Sequence, residues 1–424
     1  AIVAPQPALS TTLSVFALVF FGLSLTSLPS DAADEARWTI LAAMTVPILS
    51  LTYQTAVPDA IVAVRLPGII LGLVACMVAF LAAEKRMLKS IAVGVALCSA
   101  LVVTGGLIAS EWDSELGTDS YHAHRSAGAA LIDGLDPYTD AVQILNGSPY
   151  VPDGTIIEGY PYPPVVLFTY GLVAAFTDPR LVSTLAWLVV LVWAGWAALS
   201  RLPGTGWSLG LFLLLATAPG WPFVWYSAWT EPLTLALFLL AVLAWRRGPL
   251  ISGILLGLAL ASKQYLVFLA PLLLLHRDED WLKRLVTTAL TVLATLLPAI
   301  LIDPVSFYQA TIGNLAGIGA RPDSQSISGL LGEMGVDFDL PQWAWFTVGL
   351  GAATLMGLKS RSSSLFLGRG GWALGVAFVV GLAFLNYWFL VFGMLALSTI
   401  LDERRSSHVM ATGWAHSNLN PEGQ

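Results

Sequence analysis

The chain has 424 residues, of which 56% are hydrophobic and only 11% charged, with a formal net charge of −7. A soluble protein carries about a quarter charged residues, so this composition points to an integral membrane protein. The acidic balance leaves no basic stripe to neutralise phosphates, which excludes nucleic acid as a partner.

Apolar runs of about 15–24 residues suit helices, because barrel strands would show weaker alternating segments of about ten. The predicted fold is therefore an all-α polytopic membrane protein with about thirteen transmembrane helices. Four candidate spans come first: Leu9–Leu28, Trp38–Val57, Ile61–Ala83 and Ser90–Ala109. The opening residues AIVAPQPALS have no positive n-region, so no ordinary signal peptide is visible. Cys76 and Cys98 lie in apolar runs and read as small core hydrophobes.

A hydrophilic stretch, Glu111–Pro164, then interrupts the apolar sequence with acids, histidines and a cluster of Tyr and Pro. Long connections of this kind are uncommon unless functional or disordered. Within it, Tyr121, Ala127, Ala130 and Leu131 recur at helical spacing, and Gly134 stands where a helix would stop. The run Pro164–Phe176 is too short for a full crossing before Asp178-Pro179-Arg180, so it reads as a juxtamembrane helix. The later spans are Leu181–Ser200, Trp207–Pro219, Pro232–Trp245, Leu250–Ser262, Tyr265–His276, Leu285–Ile302, Trp343–Leu358, Trp372–Leu385 and Trp388–Leu401. The pair flanking Lys263 is too short to span upright, which is tolerated only where a helix packs on protein or lines a cavity.

Orientation follows from Lys and Arg. Placing Lys85-Arg86, Arg246-Arg247, Lys283-Arg284, Lys359…Arg369 and Arg404-Arg405 in the cytoplasm puts three polar regions on the outer face. These are the loop 110–163, the aromatic turn Gly220–Glu231 and the loop 303–341. The turns at Lys263-Gln264 and at Asn386 point the same way. The expectation is a multi-pass protein of the cell membrane with its site facing outside. Residues 1–87 are extra N-terminal helices, 88–402 the membrane core and 403–424 a polar cytoplasmic tail.

Several residues in these regions could carry chemistry. Asp119 opens the loop helix, where a carboxylate can cap free N–H groups or accept a proton from an incoming hydroxyl. His122 is three residues on and shares its helical face, so it could orient that carboxylate. Glu111, Asp113 and Glu115 form a second acidic patch, readable as a solvated rim or as oxygen ligands for a divalent ion, and Asp113 is an alternative base. His122 and His124 are two apart and point to different sides of a helix, which argues against a metal site. Lys263, buried near mid-membrane at a cost on the order of 3 kcal/mol, could hold a phosphate or reach the headgroups. Arg321 could supply a second phosphate contact. Glu231 begins an apolar helix, where it serves either the helix dipole or a substrate.

The pattern Asp119-x-Tyr121…Leu131-x-x-Gly134-x-x-Pro137-Tyr138, followed by Tyr160-Pro-Tyr162-Pro-Pro164, resembles the first external loop of GT-C-fold glycosyltransferases. It is most similar to the polyprenyl-phosphate-mannose-dependent α-mannosyltransferases of bacterial envelopes. Thr230-Glu231-Pro232, the small-residue helix Ile251–Lys263 and Ser324-Gln325-Ser326-Ile-Ser-Gly329 fit the same family, across residues 88–402. The resemblance implies transfer of a sugar from a polyprenyl monophosphate donor to a glycan, lipid or protein acceptor outside the cytoplasm. Asp119 matches the general base, Lys263 falls where a donor-phosphate contact is expected, and Tyr160–Pro164 matches the end of the loop that walls the sugar cavity. Tyr121, Tyr138, Glu231, Gln264, Gln325, Ser326 and Asn386 complete the expected substrate-binding set. Asp323 stands where the family often has Asn, and the spans within 9–83 are additional, a candidate surface for a protein partner or lipid. No cofactor is expected, a divalent ion on the acidic patch is left open, and membrane lipids are the other partners. Two other readings share the same features: a transporter or flippase of lipid-linked glycans, and a non-catalytic subunit of a membrane assembly.

Overall fold

The computed structural model describes residues 90–98, 100, 119–145, 155–200, 207–217, 227–313, 342–358, 363–381 and 387–401, with isolated positions at 224, 326, 327, 329, 331 and 336. The spans expected within 9–83 and the tail 403–424 lie outside these residues, as do Glu111, Asp113, Glu115, Arg321, Gln325 and Asn386.

The loop helix forms as its sequence predicts. Helix α1 runs Asp119–Ile132, with Asp119 placing negative charge in its first turn. Gly134 ends it at φ +69°, a left-handed conformation that costs glycine little. Leu135 N–H then bonds back to the Ala130 carbonyl at 2.9 Å, closing the helix end. Asp136 caps the short helix α2, Pro137–Asp140, by accepting from Tyr138 N–H at 2.9 Å.

A small ribbon follows that the sequence pattern does not predict. Strands β1 (Val142–Leu145) and β2 (Thr155–Glu158) pair antiparallel, Val142 opposite Glu158. The loop is thus an α/β insert on an otherwise helical chain. The ribbon ends at Gly159, φ +81°, where a Cβ would stand 2.6 Å from the Tyr138 carbonyl. Only glycine fits there, and the turn delivers Tyr160 through Pro164 beneath α1.

Helix α3, Pro164–Phe176, widens into a π turn over Leu167–Gly171. Gly128 of α1 and Gly171 of α3 let the two helices approach closely, since a Cβ on Gly128 would meet the Gly171 carbonyl at 2.8 Å. Residues 90–98 are helical as well, and the helices after α3 are α4 (Arg180–Leu199), α5 (Trp207–Thr217), α6 (Glu231–Ala244), α7 (Pro249–Leu260), α8 (Gln264–Leu275), α9 (Trp281–Ile302), α10 (Pro304–Tyr308), α11 (Gln342–Gly357), α12 (Ser363–Val380) and α13 (Tyr387–Leu401). Helix α8 begins as a 3₁₀ segment, Gln264–Leu269, and tightens at the point where the chain reverses after Lys263.

Among the described residues, α4 and α9 are long and apolar enough to cross a membrane, while α3, α6, α7, α8 and parts of α12 and α13 are shorter apolar helices. Thirteen full-length crossings are therefore not what the described residues contain. Helix α9 turns apolar side chains outward, with Leu301 and Ile302 over 70% exposed. That arrangement suits contact with lipid and is consistent with a membrane protein. On its inner side Gly253 and Gly257 of α7 fit against Thr287 and Thr291, where added Cβ atoms would lie 2.7 and 2.6 Å away. Two expectations need correction. Cys98 is exposed rather than in the core. Arg369, grouped with a basic connection, lies inside α12 and donates to the Met356 carbonyl at 3.1 Å.

The main core is built from α4 to α8 and α11 to α13, around Phe212, Phe238, Phe268, Phe378 and Phe389. A second, smaller core holds the loop down and comprises Ala123, Ala127, Tyr138, Tyr160, Val166, Leu167 and Tyr170 with Ala228, Ala299 and Ala310. This second core decides where the loop's polar groups sit.

Candidate active site

Four segments distant in sequence meet at one end of the bundle. Gln264 Nε2 donates to the Pro161 carbonyl at 2.5 Å and to the Thr311 carbonyl at 2.8 Å. His124 lies within hydrogen-bond distance of the Ala228 carbonyl at 3.0 Å. The polar loop, the turn before α6, the turn before α8 and the segment after α10 therefore share one face. Parts of the polar segments expected to lie together are thus in contact, through Pro161, His124, Ala228, Gln264 and Thr311.

Lys263 is 5% exposed and Glu231 is fully buried, and their Nζ and Oε1 lie 3.0 Å apart. Tyr265 donates its hydroxyl to the same Oε1 at 2.9 Å. The ammonium faces the Tyr162 ring at 4.6 Å and the Tyr265 and Tyr387 rings at 5.8 Å each. Lysine thus points inward into an aromatic cage and does not reach for the headgroups. Cation–π attraction and one full counter-charge together offset the desolvation of an ammonium. Glu231, the first residue of α6, turns its side chain to this cation.

Asp119 sits at the exposed start of α1. Its Oδ1 accepts from Ser120 N–H at 2.7 Å and faces Ser120 Oγ at 3.4 Å. Ser120 Oγ in turn lies 2.6 Å from the Tyr162 hydroxyl. The ring of that same tyrosine faces Lys263. One carboxylate oxygen is thereby fixed, while Oδ2 has no protein partner among the described residues. A carboxylate held by one oxygen and open at the other can accept a proton from a hydroxyl docked in front of it.

Tyr160, Tyr162 and Tyr170 surround His124, whose ring is stacked on Tyr170 at 4.6 Å and on Tyr162 at 5.2 Å between centroids. His124 Nδ1 pairs with the Tyr160 hydroxyl at 2.8 Å. Burial is the main reason its pKa is lowered to about 3, so the imidazole is neutral. Both ring nitrogens are occupied by the protein. The same burial holds the Tyr160 phenol well above its ordinary value, so it stays a donor or acceptor and not a phenolate.

Of the residues expected from the sequence, Asp119, Tyr138, Tyr160, Tyr162, Glu231, Lys263 and Gln264 are brought together. Tyr138 donates to the Tyr162 carbonyl at 3.2 Å. Tyr121 stands against His122 at 5.7 Å between ring centroids, and the Arg180 guanidinium faces its ring at 5.0 Å. His122 therefore leans on Tyr121, and the side chain that contacts Asp119 is Ser120. Ser326 is buried. Ser120, His124, Tyr170 and Tyr265 join the site although the sequence does not single them out for it. Their signal is only a histidine and hydroxyls within apolar helical faces, and such residues are ordinary in cores.

The sequence model of Glycosyltransferase family 87 matches residues 160–392, more than half of the chain. The chain belongs to that family. No curated protein and no solved structure matches it. The family 87 match takes in Tyr160, Tyr162, Glu231, Lys263 and Gln264, and begins after Asp119 and the rest of α1. Membership of family 87 makes the chain a glycosyltransferase, an enzyme with a sugar donor and an acceptor.

Proposed function

We propose that this family 87 enzyme transfers a sugar, mannose or another hexose or pentose, from a polyprenyl monophosphate to an acceptor outside the cytoplasm, on a GT-C scaffold. The acceptor is a glycan, lipid or protein hydroxyl. In this reading Asp119 Oδ2 takes the acceptor proton as its oxygen bonds to the anomeric carbon. The bond from that carbon to the phosphate oxygen breaks, and the lipid phosphate leaves carrying the electron pair. A phosphate is already a good leaving group, so fixed positive charge matters more than a strong acid.

Lys263 supplies that charge in this reading. The ammonium is engaged by Glu231, so a donor phosphate competes with the carboxylate for it, and the long lysine stem permits the exchange. His122, three residues on from Asp119 on α1, remains an assistant to the base in this reading. Arg321 is assigned to the donor phosphate from its place in the outer loop, and Gln325 and Asn386 to substrate binding. The observation that carries the reading is the bridge from an open carboxylate at Asp119, through Ser120 and Tyr162, to a caged ammonium.

The test is transfer of radiolabelled sugar from polyprenyl monophosphate donors in membranes bearing wild-type or Asp119→Asn protein. The expected result is a rate at least about a hundredfold lower in the variant at equal protein level. Undiminished transfer would remove Asp119 as base and leave Asp113 as the one to test.

A further inference from the structure

We propose that Tyr162 is a positioning residue that couples the donor side of the site to the base. This role rests on the donor and base assignments above. It comes from two contacts made by one side chain in opposite directions. Its ring faces the Lys263 ammonium at 4.6 Å, and its hydroxyl lies 2.6 Å from Ser120 Oγ. Ser120 then holds Asp119 Oδ1 through both its N–H and its hydroxyl.

The direction of the hydrogen bonds follows from the chemistry at the two ends. Asp119 is an acceptor when ionised, so Ser120 Oγ–H turns toward it, and the Tyr162 hydroxyl becomes the donor to Ser120 Oγ. A cation against the ring withdraws electron density from the phenol and strengthens that donation. When Lys263 turns from Glu231 toward an incoming phosphate, its position over the ring changes, and the orientation of the hydroxyl bridge changes with it. The alignment of the carboxylate is thus tied to the position of the ammonium over the ring.

The backbone around Tyr162 is built to hold this geometry. Its carbonyl accepts from Tyr138, and its neighbour Pro161 accepts from Gln264. The prolines Pro161, Pro163 and Pro164 restrict φ on both sides.

The experiment separates the ring from the hydroxyl. Tyr162→Phe keeps the ring over Lys263 and removes the bridge; Tyr162→Leu removes both. The coupling predicts that Tyr162→Phe lowers kcat about tenfold with donor KM within about twofold of wild type, whereas Tyr162→Leu also raises donor KM about tenfold. Ser120→Ala lowers kcat like Tyr162→Phe, and the double variant is no slower than either alone, because both break one chain. Additive losses in the double variant, or wild-type kcat in Tyr162→Phe, would overturn the coupling. Asp119→Asn run in parallel keeps the two ideas apart. Active Asp119→Asn refutes the base assignment, while inactive Asp119→Asn beside wild-type-like Tyr162→Phe refutes the coupling alone.

Discussion

Lys263 Nζ and Glu231 Oε1 lie 3.0 Å apart inside the protein, and neither side chain is more than 5% exposed. The pair joins the start of α6 to the start of α8, and both turns belong to the face where the polar loop docks. Removing one partner strands a buried charge. Glu231→Gln is expected to destabilise the protein by about 3–5 kcal/mol, read as a lower thermal midpoint in detergent. Adding Lys263→Met should restore most of that stability and none of the transfer activity. A double variant no more stable than Glu231→Gln would show that the pair is not the cause.

Lys263→Arg tests the donor contact separately. Guanidinium keeps the charge but is planar and cannot sit in the same cage as a compact ammonium. Donor KM is expected to rise about tenfold and acceptor KM to stay within about twofold, measured at saturating co-substrate. Equal changes in both would place Lys263 outside the donor subsite.

His124 gives a pH dependence of stability with a definite sign. Its pKa is lowered from 6.5 to about 3 in the folded protein, mainly by burial. Between those values the unfolded chain binds a proton that the folded one does not. Stability is therefore fully retained above pH 6.5 and falls as the pH drops toward 3, by about 1.4 kcal/mol per unit from this group. Thermal midpoints of wild type and His124→Asn across that range should differ in slope, the variant being flatter. Parallel slopes would mean that another group governs the acid limb.

Two glycines with left-handed backbone make a matched comparison. At Gly134, φ +69°, an added Cβ would have nothing within 4 Å, while at Gly159, φ +81°, it would meet the Tyr138 carbonyl at 2.6 Å. Gly134→Ala should cost about 1 kcal/mol from backbone conformation alone. Gly159→Ala must also push Tyr138 aside, so it should cost more and lower transfer, because Tyr138 holds the Tyr162 carbonyl. Equal thermal shifts for the two variants would contradict this.

At the opposite end of α7, Arg284 pairs with Asp278, lies 3.9 Å over the Trp245 ring and donates to Ser252 Oγ at 2.9 Å. Asp278 also accepts from Trp245 Nε1 at 2.6 Å. This cluster ties α6, α7 and α9 together, far along the chain from the polar loop. Arg284→Met should lower the thermal midpoint while leaving donor KM of the surviving enzyme within about twofold of wild type. A large change in KM would mean that strain at this end reaches the site.

What the sequence by itself determined is the helical character and the grouping of the polar segments. Composition requires helices that bury their own backbone polar groups. The polar segments stand out between apolar runs, and Gly134 after an amphipathic stretch stops α1 where it does. What only the tertiary structure decided is which polar groups within that face touch. Asp119 bonds to Ser120 and not to His122, because the second core of tyrosines turns α1 so that Ser120 and His124 face inward. The ribbon at Val142–Leu145 and Thr155–Glu158 is hidden in the sequence because its strands are four residues each, with the pairing set by contacts across a loop. Lys263 could be read as a buried cation from its apolar neighbours, but its counter-ion at Glu231, 32 positions earlier, exists only once α6 and α8 pack. Periodicity and charge are local properties of a chain; a partner for a side chain is a property of how the chain returns to itself.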